Sequence, residues 1–103
     1  TARITCKSNG DIVLGNENDS STNVRVTGRL GIGANNPQES LHVIGNIKFA
    51  ERTFSSGSQI PTEGRWDTGS IVWSDKPEMN KPIGWVCIKG GTPGSWRPFG
   101  QIN

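Results

Sequence analysis

Apolar residues alternate with polar ones across three stretches of the first half of the chain, each centred on a glycine. Counting in steps of two gives Cys6, Ser8, Gly10, Ile12, Leu14, then Val24, Val26, Gly28, Leu30, Ile32, then Leu41, Val43, Gly45, Ile47, Phe49. Between them stand Lys7, Asn9, Asp11, Arg25, Thr27, Arg29, His42, Asn46 and Lys48. A period of two predicts extended strands with one dry and one wet face. The glycines lie 18 and 17 residues apart. A repeat of that length predicts an array, whose units bury their apolar faces only by stacking on neighbours. A glycine inside a strand marks a bend, a bulge or a close backbone approach. Because the alternation passes through each glycine in phase, a bend or close approach near a symmetry axis is preferred over a hairpin turn.

The linking stretches Gly15 to Thr22 and Gly33 to Ser40 are rich in Asn, Asp, Ser and Gly, which favour turns. Residues 1–49 are therefore read as a repeat module, a β shaft. Residues 50–69, with Ser55-Ser56-Gly57-Ser58, Pro61 and Gly64, read as an irregular connector. Residues 70–103 read as a small Trp-rich β head. Ser70 to Trp73, Ile83 to Ile88 and Ser95 to Phe99 are its strands, with a turn over Gly90 to Gly94. The expected class is all-β: an oligomeric, interwound shaft of β-helix or β-prism character followed by the head.

Composition sharpens this picture. Only 31% of the 103 residues are hydrophobic, and 14 are Gly. That is poor material for an independent core. Charge is modest at 19% and four Trp are present, so the chain does not read as disordered. The resolution is a core shared between copies. Its expected members are Ile12, Leu14, Val24, Val26, Leu30, Ile32, Leu41, Val43, Ile47 and Phe49.

Net charge is +2, and the eleven basic residues are scattered without a cluster or stripe, so no nucleic-acid partner is expected. The apolar runs span a few residues, so no membrane insertion is expected. The absence of an initial Met leads us to expect a piece of a longer or processed protein. Cys6 and Cys87 stand far apart, without zinc-ligand spacing, and read as small buried hydrophobes.

Candidate chemistry is sparse. The nine carboxylates fall largely in loops and read as solvated surface, although a pair formed between chains would resemble the machinery of a glycosidase. His42, the single histidine, is read as a surface or interchain hydrogen-bonding group. Gly31-x-Gly33 and Gly90-Gly91 precede no helix, so they read as turns and tight packing, not phosphate loops. No cofactor, metal or catalytic residue is expected. The tryptophans carry the functional reading. Trp73 and Trp85, in strand runs, are assigned to core or interchain packing. Trp66 beside Arg65, and Trp96 beside Arg97, are the candidate ligand-binding residues. Flat rings next to polar groups suit sugars, which present apolar C–H faces and polar edges.

These motifs carry a resemblance. Gly69-Ser70-Ile71-Val72-Trp73, Gly84-Trp85-Val86-Cys87, Gly90-Gly91-Thr92-Pro93-Gly94-Ser95-Trp96 and Phe99-Gly100 resemble the C-terminal segment of bacteriophage tailspike and tail-fibre proteins. Leu30-Gly31-Ile32-Gly33, Asn36-Pro37, Leu41-His42-Val43 and Gly45-Asn46-Ile47-Lys48 are similar to a repeat of tail fibres and related trimeric adhesins. The two together cover most of the chain. The resemblance implies a homotrimeric fibre tip on the virion that attaches to a host cell-surface receptor, often a glycan. A large β-helical glycosidase or lyase domain and a self-cleaving helical chaperone domain, found in many such proteins, have no counterpart in these residues, so no enzymatic activity is carried over. The rival readings are a purely structural trimerisation and folding cap, a polysaccharide-degrading enzyme, and a bacterial surface adhesin that uses similar modules.

Overall fold

The computed structural model describes residues 4–6, 8–10, 12–15, 18, 21 and 23–103. Among them the chain is all-β: β1 (Ile4–Cys6), β2 (Ile12–Leu14), β3 (Leu30–Ile32), β4 (Leu41–Val43), β5 (Ile47–Phe49), β6 (Arg52–Gly57), β7 (Ile71–Ser74), β8 (Pro82–Lys89) and β9 (Ser95–Gln101). They form two two-stranded ladders and one five-stranded sheet.

The repeats appear as short paired strands that stop at the glycines. β1 and β2 form an antiparallel pair around Gly10, with Ile4 opposite Leu14. β3 and β4 pair in parallel, with Leu30 opposite Leu41 and Ile32 opposite Val43. The preferred reading, a bend or close approach at each glycine and not a hairpin turn, is corrected at Gly10, where the chain reverses between two antiparallel strands. Gly10 and Gly45 have φ of +93° and +133°, which interrupts a pleated ladder. Residues 23–26 and Gly28 lie outside any strand because no strand of the described chain pairs with them. A Cβ at Gly10, Gly28 or Gly45 would meet nothing within 4 Å in the chain. The close approach lies instead at Gly31. A Cβ there would sit 2.5 Å from the Ala34 carbonyl oxygen and 2.6 Å from Pro37 Cγ. The loop after β3 thus folds back onto a position that only glycine allows, in keeping with the tight packing expected of Gly31-x-Gly33.

The five-stranded sheet has the order β5-β6-β7-β8-β9 and is antiparallel except for the parallel pair β6–β7. The stretch read as an irregular connector supplies one of these strands. β6 pairs with β5 across the two-residue turn Ala50–Glu51, with Ala50 at φ +54°. Its six residues, RTFSSG, include a single large apolar side chain, so its period-two signal is faint. A parallel pair needs a crossover, and residues 58–70 provide it.

Register sorts the sheet into two faces. Val72, Trp85 and Pro98 share one rung, and Cys87 pairs with Trp96 on the same face. There the core forms: Val72, Cys87 and Trp96 are buried, with Trp66 and Trp85 packed against them. The crossover covers this face. Trp66 bridges to Gly91, with N–H to carbonyl bonds of 2.9 and 3.0 Å in the two directions. Buried Ser70 accepts a hydrogen bond from the Thr53 N–H at its Oγ (2.9 Å), which satisfies its hydroxyl and ties β6 to β7. Cys87 is free and buried, its Sγ donating to the Lys89 carbonyl at 3.4 Å. It is the small hydrophobe expected of it. The side chain of Cys6 lies outside the described residues.

The opposite face carries Ile47, Phe54, Ile71, Trp73, Val86 and Phe99, with Phe49 at its edge. Among the described residues no other strand packs closely across it. Phe49 is 68% exposed and Trp73 43%. Gly84, buried in β8, lies between Trp73 and Phe99 on one rung. The two rings meet edge to face over it at 5.6 Å, and a Cβ there would come within 2.6 Å of the Val72 carbonyl. The aromatic pair fills what the glycine leaves open.

Candidate functional site

The crossover and the β8–β9 turn bring Trp66 and Trp96 together, ring centroids 5.3 Å apart and nearly perpendicular. Each spends its indole N–H on the chain itself. Trp66 donates to the Glu63 carbonyl at 3.0 Å and Trp96 to the Pro93 carbonyl at 2.8 Å. Trp96 is 8% exposed. As a candidate ligand-binding residue it is therefore corrected: it is a core residue with no ring face left for a ligand, because the crossover lies over its side of the sheet. Trp66 is half-buried against it.

The two arginines do not join these rings in one site. Arg65 extends into solvent and lies 3.7 Å from Asp67, which also pairs with Lys48 at 3.5 Å. Both are surface pairs of small energetic weight. Arg97 pairs with Val86 across the ladder, so it belongs to the outer face, away from the Trp96 side. The four predicted residues thus fall into a packed ring pair, a surface ion pair and an outer-face cation.

The tryptophans assigned to packing keep their polar edge. No hydrogen bond occupies the N–H of Trp73 or Trp85 among the described residues. Trp73 stands on the outer face. Trp85 packs its inner part on the core and lines a groove of about 290 Å³ together with Ser58, Ser74, Asp75, Lys76, Glu78 and Lys81. Sequence reading passed over this place because its parts come from three separate segments: the end of β6, the β7–β8 loop and β8. The prolines and mixed charges of Asp75 to Pro82 were the available signal.

A second hollow, about 300 Å³, lies beside β4 and is lined by Gln38, Glu39, Leu41, His42, Val43 and Ile47. His42 is half-buried there, and its Nδ1 accepts the Gln38 N–H at 3.1 Å. The hydrogen-bonding role expected of it is met within one chain. Among the described residues, no group of three or more His, Cys, Asp or Glu is arranged to hold a metal ion. Comparison with protein-family models, with curated proteins and with solved structures gave no match.

Proposed function

We propose that this chain is the C-terminal tip of a trimeric phage tail fibre or tailspike, or of a related adhesin, and that it attaches to a host cell-surface receptor, a glycan. It is a binding module and not an enzyme, and its place is the virion fibre. The reading rests on the two sequence motifs in series and on one structural observation. Of the ten alternating apolar residues expected in a shared core, nine are exposed in the single chain, from Leu30 at 43% to Phe49 at 68%, and Val43 is half-buried. Alongside them, one face of the five-stranded sheet carries Ile47, Phe49, Phe54, Ile71, Trp73, Val86 and Phe99, with Arg52 and Arg97 among them, and no layer of the described residues packs over it. Stable domains are built from at least two packed layers, and buried hydrophobics here are confined, among the described residues, to Val72, Cys87 and Trp96. The second layer is supplied by further copies, since the apolar row runs from the repeats through Leu41, Val43, Ile47 and Phe49 into that sheet. The elongated form, 53 × 30 × 23 Å, suits a fibre.

Light scattering on the purified chain tests the shared core. The expected mass is about three times 11.1 kDa. A monodisperse, folded monomer would remove the argument. A glycan array tests attachment, and silence there would favour the folding cap. Release of reducing sugar from host polysaccharide would replace binding with hydrolysis.

A further inference from the structure

The groove at Trp85 is distinct from the Trp66–Trp96 pair and from the bare outer face. From its chemistry we propose that it is a subsite for one neutral pyranose ring, stacked on Trp85 and hydrogen-bonded by Asp75 and Glu78. This rests on reading the chain as a glycan-attaching tip and gives that attachment an address.

The first support is the ring itself. Trp66 and Trp96 have committed their N–H groups to the Glu63 and Pro93 carbonyls, whereas Trp85 has not. The core holds one part of Trp85 and the groove opens on the rest. A ring fixed in this way offers a stacking surface with little entropy left to lose. The second is the polar lining. A pyranose presents an apolar C–H face and a rim of hydroxyls, each both donor and acceptor. Carboxylates accept from pairs of such hydroxyls, serine hydroxyls do both, and ammonium groups donate. Asp75 and Glu78 are balanced locally by Lys76 and Lys81, so the groove favours no formal charge on its ligand.

The third support is that the walls are already held. The Asp75 N–H donates to the Gly57 carbonyl at 2.9 Å, anchoring the β7–β8 loop to β6. At its other end the Asn80 N–H donates to the Ile102 carbonyl at 2.7 Å, and the Ile102 N–H donates to the Lys81 carbonyl at 2.9 Å. The fourth is size and position. At about 290 Å³ the groove sits at the lower end of small-molecule sites, room for one ring rather than a long chain. Trp85 shares the face of Val72, opposite the one proposed to meet other copies. A trimer would therefore leave three grooves open, each weak alone and strong by avidity.

The test follows the indole N–H signals of the intact, ¹⁵N-labelled chain by NMR, with the Trp85 signal assigned by Trp85→Phe. The probes are the methyl glycosides of glucose, galactose and mannose, with glucuronate as the charged comparison. The expected result is a saturable shift of the Trp85 signal with at least one neutral glycoside while the Trp66 and Trp96 signals stay in place. Asp75→Asn and Glu78→Gln, both at exposed positions, would keep the rest of the spectrum and each weaken binding about tenfold. The proposal is overturned if the Trp85 signal moves with none of the three glycosides, moves with glucuronate alone, or titrates unchanged in both carboxylate variants. An array of host-envelope glycans separates this from the wider reading. Array binding that persists in Glu78→Gln keeps attachment and removes this subsite. A moving Trp85 signal with a silent array keeps the subsite and removes attachment.

Discussion

The four tryptophans illustrate how little a residue's type says about its duty. Trp96 alternates with Arg97 along β9, and the crossover covers the Trp96 side, so its ring is buried and its N–H is bonded to the Pro93 carbonyl. Trp73, in a more apolar run, faces outward over Gly84. Trp96→Ala removes a core ring and leaves a cavity, at a cost of about 3–5 kcal/mol. Urea unfolding is expected to show a large fall in midpoint for that variant. Trp73→Ala, examined in the monomeric state, is expected to cost less than half as much, because its ring is partly in water already. Equal losses would contradict the assignment of faces. Residue neighbours in the sequence led to pairing Trp66 with Arg65 and Trp96 with Arg97. In the fold the meaningful neighbours are Trp66 with Trp96 and Trp85 with the β7–β8 loop.

At the scale of elements, apolar alternation marks β7, β8 and β9, is faint at β6, and fails at Val24 and Val26, which alternate but find no pairing strand among the described residues. β7, β8 and β9 fall on the expected stretches, within one to two residues at their ends. β6 carries no clear strand signal because its core-side residues are Thr53, Ser55 and Gly57, small groups that give no hydrophobic alternation. β5 was read with the repeats, yet it forms the edge of the five-stranded sheet. A consequence can be measured. A chain of residues 46–103 retains β5, while one of residues 50–103 leaves β6 as a bare edge with Phe54 uncovered on one side. The longer chain is expected to be more stable by about 1–3 kcal/mol in urea, from lost ladder bonds and apolar cover. Equal stability would place β5 outside the cooperative unit.

At the scale of the molecule, fifteen large hydrophobic side chains stand exposed among the described residues, and contiguous exposed apolar surface marks sites of contact. Ile47 and Phe49 border the sheet's outer face, and Trp73 stands near its middle. The double substitution Phe49→Lys with Trp73→Lys places two ammonium groups on that face and leaves Val72, Cys87 and Trp96 untouched. Light scattering is expected to report a fall to the mass of one chain, a threefold drop, with the β signature of the head retained in circular dichroism. An unchanged trimer mass would move the contact elsewhere. A pyranose subsite at Trp85 would survive this change, since it belongs to the other side of the sheet.

Alternation, turn residues and scarcity of oil were enough to determine an all-β chain, the approximate places of the three C-terminal strands and the excess of apolar positions over what one short chain can bury. These are local or compositional properties, and period two is visible in any window of five residues. Which face of the sheet became core was decided only in three dimensions. The parallel β6–β7 pair forces a crossover, the crossover must lie on one side, and the side it covers buries Trp96 while the other leaves Trp73 bare. The same event set Ser58, Ser74, Asp75 and Trp85 around one groove, since strand pairing joins residues that lie far apart along the chain.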